Sequence, residues 1–192
     1  PSVSGGVYVA GNYASNSLAH DGRTLMSGWG DGGLTDAFVA EFNSTGALLA
    51  YSSVFDPDAS LEVSDLAVTT DGLVLLAGHY IGQAAYAVPN KTVNEAPGYS
   101  EGFVAAWQPV NQTWMWMASI GGAGSDEIYS ISQDDEGGAY VLARSSSLVT
   151  YSINPDNSSR ITSPNSGLPG TTDVLVSRIT GHGDWLWTAS VS

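Results

Sequence analysis

Leu73-Val74-Leu75-Leu76-Ala77-Gly78, preceded by Thr70-Asp71-Gly72 and followed by Glu101-Gly102-Phe103-Val104-Ala105-Ala106-Trp107, decides how this chain is read. An aliphatic run opened by an Asp-Gly turn and closed by Gly is a strand-and-hairpin signature. The first run returns as Gly6-Val7-Tyr8-Val9-Ala10-Gly11 and Ala139-Tyr140-Val141-Leu142-Ala143-Arg144, with Ala10, Ala77 and Ala143 spaced 67 and 66 residues apart. The second returns as Asp36-Ala37-Phe38-Val39-Ala40-Glu41-Phe42 and Asp173-Val174-Leu175-Val176-Ser177-Arg178-Ile179. A third set comprises Leu48 to Val54, Trp114 to Ile120 and Trp185 to Val191. A fourth strand leads two of the copies, as Asp65-Leu66-Ala67-Val68-Thr69 and Ile128-Tyr129-Ser130-Ile131-Ser132.

Each segment is short, rich in Val, Tyr, Phe, Trp and Ile, and bounded by Gly, Asp, Asn or Pro. No 3.6-residue apolar period is sustained, so almost no helix is expected. The pattern predicts an all-β chain of three repeats of about 66 residues, each a β-propeller-type blade of four antiparallel strands. The units are residues 1–60, 61–124 and 125–192, and the extra residues of the last fall in the Ser/Asn/Pro-rich stretch Tyr151 to Thr172, read as a loop insertion. One such sheet cannot bury both faces, so copies must stack. The first unit lacks its innermost strand, which leaves about eleven strands. Three blades are too few for a ring, because propellers close with about four to eight. The expectation is a segment of a larger protein, or a chain that assembles with another copy.

These strings resemble the bacterial and archaeal β-propeller repeat family of exported surface proteins. Val-Tyr-Val-Ala-Gly at 7–11, Asp-Ala-Phe-Val-Ala-x-Phe at 36–42 and Asp-Trp-Leu-Trp at 184–187 carry the resemblance, which covers nearly the whole chain. It implies an extracellular location and a stacked-blade architecture more than a reaction. The third copy departs from it, with Arg144 at the position of Gly11 and Gly78 and with a longer loop.

Composition narrows the function. Nineteen acidic residues against five Lys and Arg, net charge −14, leave no basic patch for a phosphate backbone, so nucleic acid is not a partner. No apolar run reaches the length of a membrane helix. The chain has no cysteine, which removes disulfides, thiolate metal sites and cysteine nucleophiles together.

Candidate sites are few. Trp114/Trp116 and Trp185/Trp187 sit at i and i+2, which places each pair on one sheet face, either as a platform for sugar rings or as filling between blades. The acids Asp56, Asp58 and Glu62, the pair Asp126 and Glu127, and the run Asp134, Asp135 and Glu136 are the candidates for a hard cation, and they lack the twelve-residue calcium-loop pattern. Calcium is the one cofactor they could take. Asp36, Glu101 and Asp173 recur at equivalent positions, which favours a strand-start role over catalysis. His20, His79 and His182 match no zinc spacing. Sequons at Asn43, Asn90, Asn111 and Asn157 fall in turns or loops.

The sequence thus predicts no enzyme. It predicts an extracellular structural or interaction module of a surface, adhesive or filament protein. Loops Ser15 to Thr35, Ile81 to Ser100 and Ser145 to Thr172 are presented from stacked blades, with other copies or segments of the same protein, or glycans, as partners. The alternatives are a carbohydrate-binding module and a polysaccharide-active enzyme.

Overall fold

The structure is a computed structural model that describes residues 2, 5–15, 17–27, 34–54, 59–82, 96–147, 150–156, 158–162 and 171–191. Those residues are all-β, in antiparallel sheets. β1 (Val7–Tyr13), β4 (Asp36–Phe42) and β5 (Leu48–Val54) form the first sheet, and β2 (Ser17–His20) and β3 (Arg23–Ser27) pair as a separate hairpin. β6 (Ala59–Val68), β7 (Val74–Gly82), β8 (Ala96–Gln108) and β9 (Thr113–Gly122) meander through the second. β10 (Asp126–Gln133), β11 (Ala139–Ser145), β14 (Asp173–Ile179) and β15 (Trp185–Val191) make the third.

The expected loop insertion contains strands. β12 (Thr150–Ile153) and β13 (Ser159–Thr162) form a hairpin, and β12 pairs with β9, Thr150 opposite Gly122 and Ile153 opposite Ser119. A segment of the third unit therefore extends the second sheet to six strands. The reason is an edge: the outer strand of a sheet offers unpaired N–H and C=O groups that any nearby extended segment can satisfy.

Turns at one end share a construction, apart from the β8–β9 turn at 109–112, where the positive φ falls on Gln112. Thr69 N–H donates to Leu73 O at 2.9 Å and Gly72 N–H to Thr69 O at 3.0 Å, and the same two bonds close Ser2–Gly6, Asn43–Ala47 and Thr180–Asp184. Glycine holds the fourth position because φ there is positive, +87° at Gly72 and +83° at Gly46. The first side chain locks the turn: Thr69 Oγ1, Asn43 Oδ1, Asp134 Oδ1 and Thr180 Oγ1 each accept from the backbone N–H four residues on.

These turns set the true register of the third repeat. Asp134 N–H closes on Gly138 O as Thr69 N–H closes on Leu73 O, so Leu142 stands where Ala77 stands and Ala143 where Gly78 stands. The string match that set Ala143 beside Ala77, and Arg144 beside Gly78, is one residue out. Burial agrees: Val74, Leu76, Ala139 and Val141 are all 0–1% exposed, whereas Tyr140 and Leu142 are 45% and 43% exposed. A one-residue slip exchanges the two faces of a strand.

The last strand of each unit is bulged at one place. Pairing skips Leu49 between Glu41–Ala50 and Phe42–Leu48, Met115 between Ala106–Trp116 and Trp107–Trp114, and Leu186 between Arg178–Trp187 and Ile179–Trp185. The extra residue reverses the alternation. Trp114 therefore joins the core between the first and second sheets, and Trp116 joins the core between the second and third. The expectation of a tryptophan pair on one face fails for this reason.

Those two cores hold the stack together. Tyr8, Ala37, Val39 and Ala50 of the first sheet pack against Leu61, Val74, Leu76, Phe103 and Trp107 of the second. Leu75, Ala77, Val104 and Trp116, on the opposite face of the second sheet, pack against Ile128, Val141, Leu175, Ile179 and Trp185 of the third. Each large side chain so buried contributes about 1.5–3 kcal/mol.

Candidate functional site

Antiparallel meanders place chain connections by parity. The short turns lie at one end of every sheet, and the segments 14–35, 83–95 and 146–172, which join the second and third meander strands, all leave from the other. Beneath that loop-bearing end lies the most unusual electrostatic feature of the fold. Glu101 and Asp126 are each 1% exposed. Both carboxylates accept the Gly122 N–H, and Ser147 Oγ donates to Asp126 Oδ2 at 2.6 Å. Glu101 Oε2 rests on Gly121, where a Cβ would lie 1.6 Å from it, so only glycine fits there.

Among the described residues neither acid forms an ion pair with Lys, Arg or His. Glu101 Oε2 and Asp126 Oδ1 find no hydrogen-bond partner among the described residues. Burial, reinforced by the Asp126 charge and opposed by the Gly122 N–H, pushes the Glu101 carboxyl up to about 8. Burial also raises Asp126, against hydrogen bonds from Ser145, Ser147 and Gly122. Tyr80, opposite Glu101 across the β7–β8 ladder, is raised above its ordinary value by burial and then by the Glu101 charge. The pair holds a proton at neutral pH, and the cluster ties β8, β10 and the start of the insertion together.

The exposed feature is the outer face of the third sheet. Tyr140 and Trp187 stand there with ring centroids 6.2 Å apart, beside Leu142 and Val174. The Arg178 guanidinium lies 5.9 Å from the Tyr140 ring centroid, and Arg144 lies 5.7 Å from that of Tyr129. Arg178 also pairs with Asp134 at 2.8 Å and Glu136 at 2.6 Å, and Arg144 with Glu127 at 3.2 Å.

The four tryptophans separate accordingly. Trp114, Trp116 and Trp185 are buried, with Trp114 Nε1 donating to Ser52 Oγ at 2.9 Å and Trp116 Nε1 to Gly181 O at 2.8 Å. Those three cannot stack on a ligand. Trp187, 43% exposed, can.

The acids do not gather. Asp134 is committed to Arg178 and the turn N–H groups; burial works to raise its carboxyl, and those partners overcome it and hold it below the usual range. Asp135 is exposed, and Glu62 lies 3.8 Å from His79 Nε2. Asp56 and Asp58 lie outside the described residues. Among the described residues no group of three or more His, Asp or Glu side chains converges. Asp36 and Asp173 open β4 and β14, whereas Glu101 lies inside β8, which begins at Ala96; all three are buried. Asn43 and Asn111 lie in turns, with Asn43 Oδ1 engaged by the Thr45 and Ala47 N–H groups, while Asn90 and Asn157 lie outside the described residues. No helix is long and apolar enough to cross a membrane among the described residues. No protein-family model and no curated protein matches the chain.

Proposed function

We propose that the chain is a structural and interaction module of an extracellular surface, adhesive or filament protein, its three stacked sheets serving as blades of the β-propeller repeat type. The observation that carries this reading is the pair of apolar cores between equivalent faces of successive sheets, with every long connection leaving from one end. A scaffold of that kind is rigid where it packs and variable where it binds. An acidic surface without cysteine suits an exposed, soluble setting.

Replacing residues 84–94 with a short Gly-Ser turn tests the division between scaffold and loops. The melting temperature should move by less than about 3 °C if the packing between the sheets carries the stability. Loss of cooperative unfolding in that variant would remove the basis of the reading.

One observation favours a second reading, carbohydrate binding: Trp187 and Tyr140 form an exposed aromatic pair. Trp fluorescence titrated with a glycan panel, repeated on Trp187→Ala, separates the two. A quench that Trp187→Ala abolishes selects the sugar-binding alternative.

A further inference from the structure

Successive sheets meet at equivalent faces, so the two junctions can be compared position by position. The bulges of β6 and β10 fall just after Val63 and Ile128, which sets Leu61 in the place of Asp126. Asp36, opposite Tyr13, stands in the place of Glu101, opposite Tyr80. At this level the first junction therefore carries one acid and a leucine, and the second carries two acids. Leu61 is 0% exposed and Asp126 1%, so the exchange is made in the interior.

Both carboxyls of the second junction converge on the Gly122 N–H, and Ser147 Oγ holds Asp126 by its Oδ2. Glu101 Oε2 and Asp126 Oδ1 are left over, buried between β8, β9 and β10 with no hydrogen-bond partner among the described residues. An acceptor buried without a donor carries the full penalty of its lost hydration, and neighbouring carboxylates add repulsion. Among the described residues no Lys, Arg or His pairs with either acid.

We propose that Glu101 and Asp126 bind one calcium ion between the second and third sheets, through Glu101 Oε2 and Asp126 Oδ1. Carboxylates, serine hydroxyls and backbone amides make up the surroundings, and oxygen donors of that kind select a hard cation. Calcium accepts an irregular oxygen shell completed by water, whereas magnesium demands a near-ideal octahedron. Its two charges cancel both carboxylates, where a proton cancels one. A chain of net charge −14 also concentrates cations around itself. The bound ion clamps β8 to β10 and, through Ser147, fixes the start of the segment 146–172.

Isothermal titration of the EDTA-treated whole chain with calcium chloride tests the site. One ion per chain should bind with a dissociation constant of about 0.1–1 mM, the range of extracellular calcium modules. The melting temperature should rise as calcium is added. Asp126→Leu installs the residue that the first junction carries at Leu61, and Glu101→Gln keeps nearly the same shape. Each should weaken calcium binding by at least about tenfold, and their own melts report that they fold. Asp135→Asn, at an exposed acid in the β10–β11 turn, should leave binding intact. Magnesium chloride should bind at least about tenfold more weakly than calcium. Absence of calcium binding up to about 10 mM, well above that range, overturns the proposal. So does wild-type affinity in either folded variant, or equal affinity for magnesium. The loop-replacement melt is run without calcium, so the site and the interaction-module reading fail separately.

Discussion

Burial lifts the Glu101 carboxyl from its ordinary 4.5 to about 8, and a raised acid has a definite sign of linkage. The folded state binds the proton more tightly than the unfolded chain. The resulting stabilisation is fully present below about pH 4.5 and is lost as pH rises through about 8. The loss is on the order of a few kcal/mol. Thermal melts at pH 5, 7 and 9 should therefore show the wild type weakening steadily. Glu101→Gln, neutral at every pH, should flatten most of that slope and leave only the part due to Asp126. A wild-type melting temperature that is level or rising from pH 5 to 9 contradicts the account. The recurrence of Glu101 with Asp36 and Asp173 was legible in the sequence, but the expected strand start was not its place, since β8 already begins at Ala96. Its pairing with Asp126 was not legible, because the sequence offers Asp126 only as half of the acidic pair Asp126/Glu127, and the Gly121 seat exists only once β8 and β9 are paired.

At the level of elements, the β12–β13 hairpin does something its composition conceals. Thr150-Tyr151-Ser152-Ile153 alternates only weakly, and its flanks read as loop. Its strand character comes from β9, whose outer edge supplies the missing partners. Replacing residues 148–170 with a short turn should expose that edge. Hydrogen exchange at the amides of Ser119 to Gly122 is then expected to accelerate at least tenfold wherever β12 supplied the acceptor, while Val104 to Ala106 in the centre of the sheet stay protected. Equal protection with and without the hairpin would show that β12 contributes no cover. The bulges at Leu49, Met115 and Leu186 belong to the same scale. They recur with the repeat, yet no string announces them, since a bulge is a mismatch between two strands and each strand alone looks regular.

The molecule as a whole is a stack of sheets with a strongly negative charge. Self-repulsion among 19 acids and only five Lys and Arg opposes the compact state and is screened by salt. Raising sodium chloride from about 10 to 300 mM shortens the screening length several-fold and should raise the melting temperature by a few degrees, measured at low protein concentration to exclude association. Insensitivity to salt would mean the charges are already separated beyond mutual influence. At the front of the first sheet the tip of the β2–β3 hairpin packs on Phe42, while Val7 and Val9 stay exposed.

The repeat, the four strands that recur with it and the need to stack were determined by the sequence alone. Period-two patterning, turn chemistry and a recurrence near 66 residues are local properties that survive without a partner. Which face of each strand is buried, which tryptophan reaches solvent and which edge the insertion joins were decided only in the tertiary structure. A one-residue slip or a single bulge turns a side chain from one core to another, and that choice is made by pairing between segments far apart in the chain.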